Sequence, residues 1–254
     1  MDLNKLLNVS TLAGKILLES GAETYRVEET IVKICLSFGV DNAESFVIPT
    51  GIMVSVTKND EVCTLVRRIT SRGVDLNKID KINTLSRRLQ YEKLSLDEVN
   101  NELLLIAKIN RYKTMTTFLC SSVAAGCFSI MFGGSLKDFF AACIIGACIK
   151  IMAVTCQKLN INDFFINSIG GGLCAFLAVI FINFNLCSNM DKTIIGSIML
   201  LVPGLAITNA IRDTIAGDIL SGITKMAEAI LVAISIAVGT GAVLSLFINS
   251  FPVK

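Results

Sequence analysis

Apolar positions change their spacing twice along this chain. Leu3, Leu6, Leu7, Ser10, Gly14 and Leu17 recur three to four residues apart, as on one face of a helix, and Gly21 ends the run. Thr24 stands where it can cap a second helix. Val27, Ile31, Ile34, Cys35 and Phe38 give that helix its apolar stripe, and Gly39 closes it. Residues 45–48, 52–57 and 62–68 read as three antiparallel strands. They are short, rich in β-branched side chains and separated by Pro49-Thr50-Gly51 and Lys58-Asn59-Asp60. A helix over 75–89 follows. Another opens at Ser95, where Ser95 and Glu98 have the spacing of a capping box ahead of Val99, Leu103 and Ile106.

From residue 114, length replaces periodicity as the signal. Five apolar stretches, 114–132, 139–157, 164–184, 194–211 and 229–248, each approach the ~20 residues that a helix needs to cross ~30 Å of hydrocarbon. The predicted architecture is therefore an α+β cytoplasmic domain over residues 1–113 (two helices, three antiparallel strands, two helices). An α-helical membrane domain of five transmembrane helices follows over residues 114–254. Small residues recur four apart in that half: Ala142 and Gly146, Ser168 and Gly172, Gly171 and Ala175, Ser235 and Gly239, Ala237 and Gly241. Such pairs let helix backbones approach closely in lipid, within one chain or against a second copy.

Charge sharpens the division. Residues 1–113 carry 16 Lys/Arg and 15 Asp/Glu, whereas residues 114–254 carry 7 and 6. The net charge of +2 leaves no nucleic-acid footprint, and the lipid bilayer is the expected partner. Lys108, Arg111 and Lys113 stand directly before the first apolar stretch, where a positive-inside anchor would hold the N-terminal domain in the cytoplasm. Basic residues of the later connections do not decide the orientation: Lys158, Arg212 and Lys225 balance Lys137, Lys192 and Lys254. Five spans would put the two chain ends on opposite sides of a plasma (inner) membrane. Residues 1–18 carry Asp2, Lys5 and Lys15 and no long apolar run, so no signal peptide is expected.

Histidine is absent, which removes the usual general base and the commonest metal ligand. None of the nine cysteines forms a C-x-x-C pair, and seven lie in the apolar half, where a thiol behaves as a small hydrophobe. No cofactor or metal is expected. Neither G-x-x-x-x-G-K-[ST] nor G-x-S-x-G occurs, which argues against an enzyme and against ATP-driven pumping by this chain alone.

Candidate chemistry sits among the few polar residues of the apolar half. Pro203, followed by Gly204, is the one proline within the five stretches, and it removes a helix N–H near mid-membrane. A broken helix there is either a structural kink or the kind of ion and substrate site that transporters build from helix ends. Beyond it, Asn209, Asp213, Asp218 and Gly222 fall roughly along one helical face, with Arg212 and Gly217 between them. They suit either the inner mouth of a pathway or an ordinary surface connection. Lys150 lies well inside the second stretch. It is either snorkelling to the interface or a functional group whose candidate partners are Asp213, Asp218 and a substrate carboxylate.

Two segments carry a family resemblance. One is Ser-Gly-Ala-Glu-Thr at 20–24, between an apolar and an amphipathic helix. The other is Leu-Val-Pro-Gly-Leu-Ala-Ile-Thr-Asn-Ala-Ile-Arg-Asp-Thr-Ile-Ala-Gly-Asp at 201–218, continuing to Ser221-Gly222. Together they resemble the threonine/serine exporter family in its short form, which holds only the N-terminal half. The resemblance covers nearly the whole chain and carries Gly21, Ala22, Glu23, Pro203, Gly204, Asn209, Asp213, Gly217 and Gly222 over by motif position. It implies a secondary-transporter subunit that exports threonine and serine, or a dicarboxylate such as succinate. It also implies a second small integral membrane protein, equivalent to the family's C-terminal half, as partner. A homo-oligomer and a non-transporting scaffold or sensor, whose N-terminal domain binds a partner or metabolite, are the other readings.

Overall fold

The computed structural model describes residues 2–109 and 112–248. Among them are ten helices and one three-stranded sheet, in two compact units. The first comprises Met1–Arg111 and Leu205–Ala227, the second Tyr112–Gly204 and Glu228–Lys254.

In the first unit, α1 (Leu3–Glu19) is capped by the Asp2 side chain, which accepts from the Asn4 and Lys5 N–H groups. Its buried face carries Leu3, Leu6, Leu7, Ser10, Gly14 and Leu17, as the spacing predicts. Helix α2 (Thr24–Ser37) lies close against it. A Cβ at Gly14 would stand 2.5 Å from Ile31 Cδ1, so a side chain here would make Ile31 shift. Strands β1 (Asn42–Ile48), β2 (Gly51–Lys58) and β3 (Glu61–Arg68) form an antiparallel sheet in the order β1-β2-β3. Ile52, Val54 and Val56 alternate into the core from the central strand. Helices α3 (Leu76–Arg88) and α4 (Leu96–Ala107) close the core with Ile82, Leu85, Val99 and Leu103. Each such side chain, fully removed from water, contributes about 1.5–3 kcal/mol before entropy is counted. The Ser95–Glu98 capping box is present.

The second unit is helical: α5 (Thr114–Met131), α6 (Leu136–Lys158), α7 (Asp163–Asn183), α8 (Met190–Ile198) and most of α10 (Ile219–Ile248). Small residues set its packing. A Cβ at Gly171 would stand 2.5 Å from Ile236 O, and one at Gly239 would collide with Ser168 O, so α7 and α10 touch backbone to backbone. Gly146 meets α5 similarly, 2.7 Å from Ala125 Cβ.

Three expectations are corrected. The α+β cytoplasmic domain followed by five transmembrane helices is not the architecture found. The described chain is mostly helical with one small sheet, and four helices, not five, are long and apolar enough to cross a membrane. These are Thr114–Met131, Leu136–Lys158, Asp163–Asn183 and Ile219–Phe247. The stretch 194–211 is not one helix: α8 stops at Ile198, the chain turns through Pro203, and α9 (Gly204–Ala216) starts afresh. Proline has no N–H to give the preceding turn and clashes with it sterically, so the interruption falls where the pattern put the fourth span. The argument from an odd span count, that the chain ends lie on opposite sides, falls with it.

Second, Asn209, Asp213, Asp218 and Gly222 do not share one helix. Gly217, at φ +101°, separates α9 from α10. Third, Thr24 is the first residue of α2 and not its cap. Glu23 holds the cap position and makes no side-chain capping bond. Arg111 and Lys254, invoked for orientation, lie outside the described residues.

Candidate functional site

The site forms where the end of α1 turns into α2. Gly21 has φ +84°, and a Cβ there would stand 2.8 Å from the Gly73 carbonyl oxygen, so both backbone angle and space demand glycine. The turn leaves the α2 N-terminus without a cap of its own. Its cap comes from α9. The Thr24 N–H donates to Asp213 Oδ1 at 2.8 Å, and the Thr24 hydroxyl donates to Asp213 Oδ2 at 3.0 Å. A carboxylate at this position satisfies an orphan N–H and lies at the positive end of the helix dipole.

Asp213 is fully buried and its charge is matched by Lys225 of α10, whose Nζ donates to Asp213 Oδ2 at 2.7 Å. The same ammonium donates to Thr24 Oγ1 at 3.2 Å and to the Ala22 carbonyl at 3.3 Å. Its three protons therefore have three acceptors, the condition under which a buried ion pair is tolerated. Asn209 and Arg212 extend the grip. Asn209 Nδ2 donates to the Gly21 carbonyl at 2.8 Å, and Arg212 Nη1 donates to Glu23 Oε1 at 2.6 Å. Positions 209, 212 and 213 share one face of α9 by helical spacing. Burial alone would raise the Glu23 carboxyl, but the hydrogen bond from Arg212 and the charge of nearby Arg26 hold it below the usual carboxylate range.

Gly217 then turns the chain so that α10 returns beside α9. Asp218 N–H donates to Asp213 O at 2.9 Å. A Cβ at Gly222 would collide with Thr214 Oγ1 and stand 2.8 Å from Ala210 O, so a side chain there would force the two helices apart. Asp218 Oδ2 is shut off from solvent with no hydrogen-bond partner among the described residues. Burial, then the neighbouring Asp213 charge, push its carboxyl above the usual range, opposed by Lys225. Glu28, one turn along α2 from Thr24, accepts from the Val47 N–H at 2.7 Å. Burial raises its carboxyl as well, helped by the Asp218 and Asp213 charges and opposed by that N–H.

The structure thus gathers Gly21, Glu23, Asn209, Arg212, Asp213, Asp218, Gly217 and Gly222 in the first unit. Pro203, Gly204 and Lys150 belong to the second unit: Pro203 directly precedes α9, Gly204 is its first residue, and Lys150 lies half-buried on α6, two turns before its end. Asp213 takes Thr24 and Lys225 as partners, not Lys150. In the sequence Lys225 reads only as a loop cation and Glu28 carries no signal, because an acid and a base on different elements leave no spacing to recognise. Asp138 was also missed. It is buried at the start of α6 and accepts from Ser135 N–H and Oγ, Ser188 N–H, Asn189 N–H and Thr193 Oγ1, thereby fastening the start of α8 to that of α6. Its one visible signal was the Ser135–Asp138 capping-box spacing. Among the described residues no group of side chains is placed to hold a metal ion.

Long apolar helices joined to a unit with a buried charge pair define an integral membrane protein. The family model for threonine/serine exporters, ThrE, matches residues 8–247, and the chain belongs to that family. It is a membrane transport protein. It is 23% identical over 230 residues to "Probable succinate transporter subunit YjjP" of Klebsiella aerogenes, covering 88% of this chain and 86% of that one. It is 20% identical to "Probable threonine/serine exporter" of Mycobacterium tuberculosis, covering 92% of this chain but 45% of that protein. It is 25% identical to "Pheromone-regulated membrane protein 10" of Eremothecium gossypii, covering 86% of this chain and 30% of that protein. The chain thus spans less than half of the longer relatives. No solved structure matches it.

Proposed function

We propose that this chain is one subunit of a secondary exporter in the plasma membrane, moving a small carboxylate-bearing metabolite (threonine, serine or a dicarboxylate such as succinate) out of the cytoplasm. The observation that carries the reading is the joint itself: the two sequence segments that typify the family resemblance, 20–24 and 201–222, are tied together by the Thr24–Asp213–Lys225 bonds. The N-terminal unit lies on the cytoplasmic side, beside the basic flank that includes Lys108 and Lys113. The substrate carboxylate meets Lys150 or the chain break at Pro203-Gly204, both in the second unit, because an intramembrane lysine and an interrupted helix are the features from which transporters build anion sites. Asn209, Arg212, Asp213 and Asp218 govern the joint that α9 enters. A second small integral membrane protein, corresponding to the remainder of the longer relatives, completes the transporter, in keeping with the word "subunit" in the name of the Klebsiella relative.

Efflux from loaded cells tests this reading. Pro203→Ala, Lys150→Met and Asp213→Asn are expected to lower efflux without lowering the amount of protein in the membrane. Normal efflux in all three would remove the site assignment.

A sensor is favoured by one separate observation. In the first unit a polar cavity of ≈ 230 Å³ is lined by Glu19, Ser20, Arg72, Asp75 and Lys78, groups of both signs that suit a small zwitterion. Ligand-induced thermal stabilisation that Lys78→Ala abolishes, in a protein whose efflux is nil with its partner present, would support that reading over export.

A further inference from the structure

Lys225 is ion-paired with Asp213 and acts electrostatically on Asp218, and the charges of both acids act on Glu28 of α2. Each proton of Lys225 is already committed, to Asp213 Oδ2, Thr24 Oγ1 and the Ala22 carbonyl. Arg212, from the same face of α9, is turned to Glu23, and so is Arg26. Glu28 has the Val47 N–H. Asp218 Oδ2 is shut off from solvent and has no donor among the described residues, although it belongs to the residue directly before α10, whose N-terminus attracts negative charge. A carboxylate oxygen shut off from solvent without a hydrogen-bond donor is costly, and taking up a proton is the usual way out.

We propose that Asp218 is the proton-carrying group of this joint: it is protonated while Asp213 is locked to Thr24 and Lys225, and it gives up the proton when that lock opens. Closure of the joint is then coupled to proton uptake. The titratable groups around Asp218 are Asp213 from α9, Lys225 from α10 and Glu28 from α2. Burial and the Asp213 charge oppose its ionisation and the lysine favours it, while the Asp218 and Asp213 charges in turn raise Glu28. The sign follows from linkage. A carboxyl that binds its proton more tightly in the closed form stabilises that form at low pH, and the stabilisation is lost as pH rises through its raised value. The consequence for transport, that protons bias the exporter between two states, rests on the export reading above, whereas proton uptake by Asp218 does not.

Infrared difference spectroscopy of the full chain in lipid vesicles, stepped in pH, tests it. The expected result is the carbonyl stretch of a protonated carboxylic acid that titrates above the ordinary carboxylate range and vanishes in Asp218→Asn. Glu28→Gln should keep the band, because the protonated group is Asp218 and not its neighbour on α2. A band unchanged in Asp218→Asn, one lost in Glu28→Gln instead, or a titration within the ordinary range would each overturn the assignment. If Asp218→Asn does not accumulate, retention or loss of the band in Glu28→Gln decides alone. Efflux against pH is the second arm: the wild-type profile should flatten in Asp218→Asn, and an unflattened profile would overturn the coupling. A band behaving as expected in a protein that moves no substrate would retain the proton site and discard the export reading.

Discussion

The backbone N–H of Thr24 is hydrogen-bonded, at 2.8 Å, to a carboxylate oxygen of Asp213, 189 residues further along the chain. Helix α2 is therefore capped by a side chain that lies beyond three of the four long apolar helices in sequence. The bond makes the N-terminal helices and the α9–α10 elbow one folded unit, and most of what can be tested concerns that unit.

Removing the Asp213 carboxylate strands two buried groups at once, the Thr24 N–H and the Lys225 ammonium. Asp213→Ala is expected to cost about 3–5 kcal/mol, the range for a buried pair broken from one side. Asp213→Asn should cost less, because its amide oxygen can still accept from Thr24. Combining Asp213→Asn with Lys225→Met should recover part of the loss. Thermal unfolding of the purified chain reads all three, and a double variant no better than the sum of its singles would argue against direct coupling.

The neighbouring Glu23–Arg212 pair should matter far less. Arg212 is 55% exposed in its side chain, so Arg212→Ala is expected to cost roughly 0–1 kcal/mol. Its pH dependence has the opposite sign to that of Asp218. Glu23 is held below the usual carboxylate range, so its contribution is present above the unfolded value and fades as pH falls through the folded one. Unfolding temperature against pH should lose part of its acid limb in Glu23→Gln and keep the remainder.

Gly217 isolates a backbone effect. Its φ is +101° and a Cβ there would meet nothing within 4 Å, so Gly217→Ala adds strain without a clash. The expected loss is about 1–2 kcal/mol, with altered efflux because the elbow between α9 and α10 is displaced. A neutral Gly217→Ala, in both unfolding and efflux, would mean that the elbow is not held in this conformation.

In the second unit, Gly239 and Gly241 make a matched pair. A side chain at Gly239 would run into Ser168 O of α7, whereas a Cβ at Gly241 meets nothing within 4 Å. Gly239→Leu should therefore abolish accumulation in the membrane, and Gly241→Leu should leave it intact. Equal accumulation of the two would show that α7 and α10 do not pack through Gly239.

Much of this was legible in the sequence because it is local. The spacing of Leu3 to Leu17 sets the buried face of α1, the β-branched runs set the strands, and Ser95–Glu98 sets the start of α4. Pro203 marked the interruption within 194–211, although the apolar length around it argued for one span. Each of these depends on residues within a turn or two of one another, where backbone geometry ties sequence spacing to space.

The site was only half legible. The residues of α9 and the Gly-Ala-Glu turn could be singled out, but not their meeting. The sequence by itself determined which segments are helical or extended and four of the five apolar runs long enough to enter a bilayer, since those properties follow from periodicity and length, whereas 194–211 was misread as a fifth span. Tertiary structure alone decided that Asp213 caps α2, that Lys225 and not Lys150 neutralises it, and that Asp218 is left with a buried oxygen and no donor. Hydrogen bonds and charge pairs between distant elements are fixed by how helices pack. A carboxylate reads the same in the sequence whether folding gives it two donors and an ammonium or none.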